Sequence, residues 1–216
     1  MGSFWDRLFG KGPPRQQASQ PANDGDDDLL SELREQIRRD VAAGFEDGER
    51  IAATAVAAFD DQADAAFLEV HARRFVEEEL AAHAAEQRSW PERTDCDRLD
   101  AAFAALDRAG VVARQHFTCC GTCGLAEIDG EIAAAEAKGG RTRGYTFYHW
   151  QDTEAAVEGH GICLYYGSCE EGEAADLAIG REIAAELKRH GLDPEWNGRL
   201  DRRIEVPLDW KRRRAG

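Results

Sequence analysis

Cys119, Cys120 and Cys123 lie in the stretch GVVARQHFTCCGTCGLAEI, Gly110–Ile128, where reactive side chains crowd at a spacing that chemistry can use. Thiolates are nucleophiles, redox centres and soft metal ligands, so three thiols in five residues admit several chemistries. Cys120-Gly121-Thr122-Cys123 is a C-x-x-C motif between an expected strand and an expected helix, the arrangement of a thioredoxin-like dithiol. Amides at a helix N-terminus favour a thiolate there and would depress the pKa of Cys120. Thioredoxin folds face their dithiol with a proline from a later strand. Here no proline occurs between Pro91 and Pro194.

A structural zinc site is the second chemistry. Tetrahedral zinc takes four Cys or His ligands, commonly two of them from one C-x-x-C turn. Cys120 and Cys123 would be that pair, with the remainder from Cys119, His116, His149, His160, Cys163 or Cys169. None of these forms a second close pair in the sequence. A third reading is reduced cysteines packed beneath a glycine-rich turn, since free cysteine behaves as a small apolar side chain. A Cys–His hydrolase pairing Cys119 or Cys120 with His116 or His149 needs an orienting third group that spacing does not supply.

Other candidates are thinner. His71 and His83 flank Glu77, Glu78 and Glu79, but they lie twelve positions apart, and metal-binding helices place ligands one turn apart. That stretch reads as a charged solvent face. Tyr145, Phe147 and His149 alternate with Thr146, Tyr148 and Trp150, giving a strand with a histidine at the end of one aromatic face. The tail Trp210–Arg214 (WKRRR) is basic and reads as a solvated terminus. With Arg199, Arg202 and Arg203 it offers an alternative as a site for an acidic partner or an anion.

The elements around these residues follow from periodicity. Residues 1–10 place Phe4, Trp5, Leu8 and Phe9 on one side of a two-turn amphipathic leader, candidates for docking on a partner or for peripheral membrane contact. Residues 11–28 read as a disordered acidic linker. Residues 29–110 are helical. Leu29, Leu33, Ile37 and Val41 recur every four positions; Asp47, then Asp60 or Asp61, then Thr94 or Asp95 are N-caps. Residues 111–210 alternate strand and helix: strand 111–117, helix 125–138, strand 145–150, a connector capped by Asp152, strand 162–166, helix 173–190, and short strands near 195 and 203–206. The class is α+β, with a helical N-terminal half and a βαββαβ C-terminal half of ferredoxin-like, split βαβ type. Residues 211–216 form the basic tail.

The segments RTDCDRLDAAFAALDRAGVVARQHF (Arg93–Phe117), GYTFYHWQDTEAAVEGHG and GLDPEWNGRLDRRIEV resemble an uncharacterised bacterial family, a domain of unknown function. The resemblance covers roughly residues 29–210. It implies one continuous unit and no assigned activity, cofactor or catalytic residue.

Composition sets the outer bounds. With 42 acidic and 27 basic residues the formal charge is −15, so binding to nucleic acid is not expected. Six clumped cysteines do not make a disulfide scaffold. No secretory leader is visible, and no apolar run reaches the roughly 18–20 residues that span a bilayer. The expectation is a cytoplasmic protein with reduced thiols. Without a phosphate loop, nucleotide fingerprint or acid–base pair, a non-enzymatic protein-interaction module is the leading functional expectation. A thiol redox or zinc site is the alternative.

Overall fold

Leu29, Leu33, Ile37 and Val41 define one stripe of a helix, and in a computed structural model of the chain that stripe is the spine of the N-terminal half. The structure describes residues 24–214. The leader residues Phe4, Trp5, Leu8 and Phe9 lie outside the described residues. α1 (Asp24–Ala43) begins five residues before the first expected helical position, so the acidic run Asp26–Asp28 sits in its first turns rather than in a linker. Carboxylates there complement the helix dipole. Gly44, at φ +80, ends the helix. Asp47 caps α2 (Gly48–Ala58), its carboxylate accepting from the Arg50 amide at 2.8 Å. The cap of α3 (Ala65–Gln87) is Asp64, not Asp60 or Asp61, because the chain makes a further turn after Phe59. This shift turns Leu68, Ala72, Phe75 and Val76 inward and leaves Val70 68% exposed. These three helices bury their stripes against one another.

α4 (Asp95–Arg108) opens with a reciprocal capping box between Thr94 and Asp97. A four-stranded sheet follows: β1 (Val111–Arg114), β2 (Gly144–Phe147), β3 (Ile162–Ser168) and β4 (Ile204–Val206). Between the strands run α5 (Gly121–Ala137), α6 (Trp150–Val157) and α7 (Glu173–Arg189). The expected class and element order hold, but the split βαβ topology does not. The spatial order is β1-β2-β3-β4, with β1 parallel to β2 and the other neighbouring pairs antiparallel. A split βαβ would insert another strand between β1 and β2.

Arg143 pins the direct pairing. Its guanidinium donates twice to Ala109 O, at 2.9 and 2.8 Å, and its amide donates to Gly110 O at 2.8 Å. These bonds tie the residue before β2 to the residues before β1. Gly110 is required there: φ is +86, and a Cβ would lie 2.4 Å from Arg141 O.

The sheet is covered on both faces. Val111, Ala113, Ile162, Leu164, Ile204 and Val206 pack with Leu99, Phe103 and Leu106 of α4 and Ile179, Ile183 and Leu187 of α7. On the other face Val112 and Phe147 meet Ile128 of α5, flanked by Phe117, Tyr145 and Tyr165. That second, smaller layer is what sets the position of the thiol turn.

Candidate functional site

β1 ends at Arg114, and the chain then passes through two left-handed non-glycine residues, His116 (φ 50) and Thr118 (φ 57). A β-branched residue in that region costs on the order of 1–2 kcal/mol. Four hydrogen bonds hold the conformation. Phe117 N donates to Tyr148 O (2.9 Å), Trp150 N to Thr118 O (3.1 Å), Trp150 Nε1 to His116 O (2.9 Å) and Thr118 Oγ1 to Cys120 O (3.1 Å). The turn so fixed delivers Cys119 and Cys120 to the start of α5.

α5 begins at Gly121, four residues before the expected start at Leu125. Cys120 is its N-cap, in extended conformation, and Gly124 N bonds Cys120 O at 3.0 Å to close the first turn. Cys123 therefore sits inside that turn. Both glycines of the motif are packing glycines. A Cβ on Gly121 would lie 2.0 Å from the Tyr165 hydroxyl, and one on Gly124 would lie 2.4 Å from the Phe147 ring. The helix can approach the sheet only because both side chains are hydrogen.

The three sulfurs converge. The Sγ atoms of Cys119, Cys120 and Cys123 all lie within 4.8 Å of one another, and Cys119 Sγ is 3.4 Å from Cys123 Sγ. With metal–sulfur bonds of about 2.3 Å, tetrahedrally bound thiolates sit roughly 3.8 Å apart, so the triangle has the size of a one-ion site. Cys119 is exposed and the other two are partly so. The Cys123 amide faces the Cys120 sulfur and, with the Cys123 thiol, lowers the Cys120 pKa, although no cap hydrogen bond of regular geometry forms. Cys123 moves the opposite way, up to about 12, because its neighbours Cys119 and Cys120 disfavour a second charge. One thiolate is easily held; the next needs a positive centre.

The other sequence candidates lie elsewhere. No fourth Cys, His, Asp or Glu donor among the described residues completes a common cluster with these sulfurs. His116 stacks on Phe45, with ring centroids 4.3 Å apart, and pairs through Nδ1 with Thr153 Oγ1 at 2.9 Å; burial beside Arg212 lowers its pKa to about 4. His149 does not end a strand, because β2 stops at Phe147. It is the N-cap of α6, accepting from the Asp152 amide, so Asp152 is the third helical residue rather than the cap. Cys163 is half-buried near Arg203, and burial raises its pKa. Cys169 is exposed just beyond β3. His160 is exposed in the turn after α6. His83, expected on a solvent face, is buried against Trp90 and pairs with Arg212 O at 3.1 Å. Residues 210–214 are not a solvated tail, because Arg212, Arg213 and Arg214 fold back onto the chain's own acids and carbonyls.

The described residues that match a known family model are 26–214, and the model's description is Domain of unknown function (DUF6891). The chain belongs to this family. No curated protein and no solved structure matches. The DUF6891 region thus spans the three-helix layer and the sheet together, and the thiol turn lies within it. Among the described residues no helix is long and apolar enough to cross a membrane.

Two parts of the site were not read from the sequence. Trp150 clamps the turn. Tyr165 stands beneath the start of α5, with Arg203 4.8 Å from its ring centroid and 3.5 Å from Asp152. The signal available for Tyr165 was the Gly121/Gly124 spacing, which leaves room for bulky partners. Nothing local marked Trp150.

Proposed function

We propose that this protein binds one soft metal ion through Cys119, Cys120 and Cys123, as a non-enzymatic thiolate site. The observation that supports the reading is the convergence of three sulfurs within 4.8 Å on a braced turn. Thiolates select soft and borderline ions such as Zn²⁺ and Cu⁺ over Mg²⁺ or Ca²⁺. Zinc bound here would have three protein ligands and an open fourth position. The test is metal analysis with a thiol count on anaerobically purified protein. The expected result is about one ion per chain, lost in Cys119→Ser, Cys120→Ser and Cys123→Ser and kept in Cys163→Ser. Six ordinary, metal-free thiols in the intact protein would remove the reading.

An interaction module is the second reading. Its support is a cleft of about 210 Å³ between α1, α2 and α6, lined by Arg39, Arg50, His116 and Trp150 among others. Trp150 is 46% exposed there, although its indole is anchored. Docking through Phe4, Trp5, Leu8 and Phe9, on a protein or a membrane surface, belongs with this reading. Flotation of the full chain with vesicles, lost on deleting residues 1–10, checks the membrane form.

A further inference from the structure

The number of donors narrows which ions suit the thiol triangle. All six cysteines and all six histidines of the chain fall between residues 71 and 190, within the described part. Among them only three sulfurs meet, and no carboxylate among the described residues joins the group. Divalent zinc would be left one protein ligand short of the closed tetrahedron that structural sites adopt. A trivalent centre with a lone pair is different. It is saturated by three thiolates arranged as a pyramid, and the lone pair takes the fourth vertex. The triangle fits that demand: one edge is 3.4 Å, all edges are within 4.8 Å, and the Cys119 corner is exposed, so the vacant vertex can face water.

Resting on the metal-site reading above, we infer that the site's best-matched ligand is a trivalent metalloid hydroxide of the arsenite or antimonite class, captured by Cys119, Cys120 and Cys123 together. The reaction is a condensation without oxidation or reduction. Each thiol sulfur forms a bond to the metalloid, and each metalloid–oxygen bond breaks. Each departing hydroxide takes the thiol proton and leaves as water. Three thiols and one trihydroxide give one trithiolate and three waters, with no net change of charge. A zinc ion taking the same three sulfurs would have to expel three protons to solvent and leave a surplus negative charge on a chain already at −15. Entry of a neutral hydroxide into that negative field costs nothing electrostatically.

The experiment is titration of reduced full-length protein with arsenite, and separately with Zn²⁺, read by native mass spectrometry and by loss of free thiols. The expected outcome is one arsenic per chain with three thiols consumed. Affinity should fall roughly 100-fold or more in Cys119→Ser, Cys120→Ser or Cys123→Ser, since each loss removes an intramolecular third attachment. The Cys163→Ser/Cys169→Ser double variant should bind as the parent does, and circular dichroism should show every variant folded. Zinc captured by the three cysteines, with arsenite bound no better than by a two-thiol variant, would overturn this inference and leave the metal site standing. Neither ligand binding to these cysteines would overturn both. Arsenite uptake that survives all three single substitutions would place the metalloid elsewhere and overturn the inference alone.

Discussion

Gly124 and His116 show how single residues set the thiol turn. Gly124 lets α5 rest on the fully buried Phe147 ring, so Gly124→Ala must displace either the ring or the helix. We expect a loss of about 1–3 kcal/mol, typical of overpacking, measured by urea denaturation. The circular dichroism of the mutant should otherwise stay native-like. His116 is held neutral, with a pKa near 4 against the ordinary 6.5, by burial and by the Arg212 charge. Above pH 6.5 the ring is neutral in both folded and unfolded chains and contributes no pH dependence. As pH falls from 6.5 toward 4 the unfolded chain gains a proton that the folded one resists, so stability declines in that window. Allowing for solvent screening of a partly exposed ring, the loss is on the order of 1–2 kcal/mol. His116→Asn, which suits positive φ, should flatten this acid limb, and urea midpoints from pH 7 to 4 would show whether it does.

At the level of elements, the site depends on a clamp between the turn after β1 and the start of α6. The Trp150 amide and indole both donate to that turn, and α6 is itself anchored by the His149–Asp152 capping box. A ligand triangle on a strained backbone is only as precise as its support. Trp150→Ala should therefore leave the fold intact but lower zinc affinity by about 10–100-fold, as loss of outer-shell support does elsewhere. Competitive titration against a chelating dye measures the change; unchanged affinity would show that α5 alone positions the sulfurs.

Across the whole molecule, the C-terminal strap joins the two layers. Arg212 bonds Asp100 at 2.7 Å and Gln115 at 2.9 Å, and its guanidinium lies over Phe45 and Trp210. Trp210 Nε1 donates to Ala42 O, Arg213 pairs with Asp97, and Arg214 donates to Val41 O. One short segment therefore touches α1, α4 and the loop ahead of α2. Charged hydrogen bonds and cation–π contacts of this kind contribute about 1–3 kcal/mol. Arg212→Ala should lose that much. Hydrogen exchange should show the three-helix layer opening before the sheet, whereas a uniform loss of protection would mean that the strap is not what couples them.

The helices of the N-terminal half were legible because a buried stripe must recur every three or four residues, and Leu29 to Val41 do so whatever lies opposite. Caps such as Asp47 and Thr94 were legible for a similar reason: the side chain serves amides two or three residues away. The closeness of the three thiols followed from five consecutive positions. What lay beyond local sequence was every pairing made across the chain. Parallel pairing of β1 with β2 depends on Arg143 reaching Ala109, thirty-four residues back. The early start of α5 depends on the sheet aromatics its glycines accommodate. The tail's role depends on acids more than a hundred residues away. Local spacing decides what a segment can become, but burial and charge pairing between distant segments select among those forms, and their energies exist only once the chain has closed.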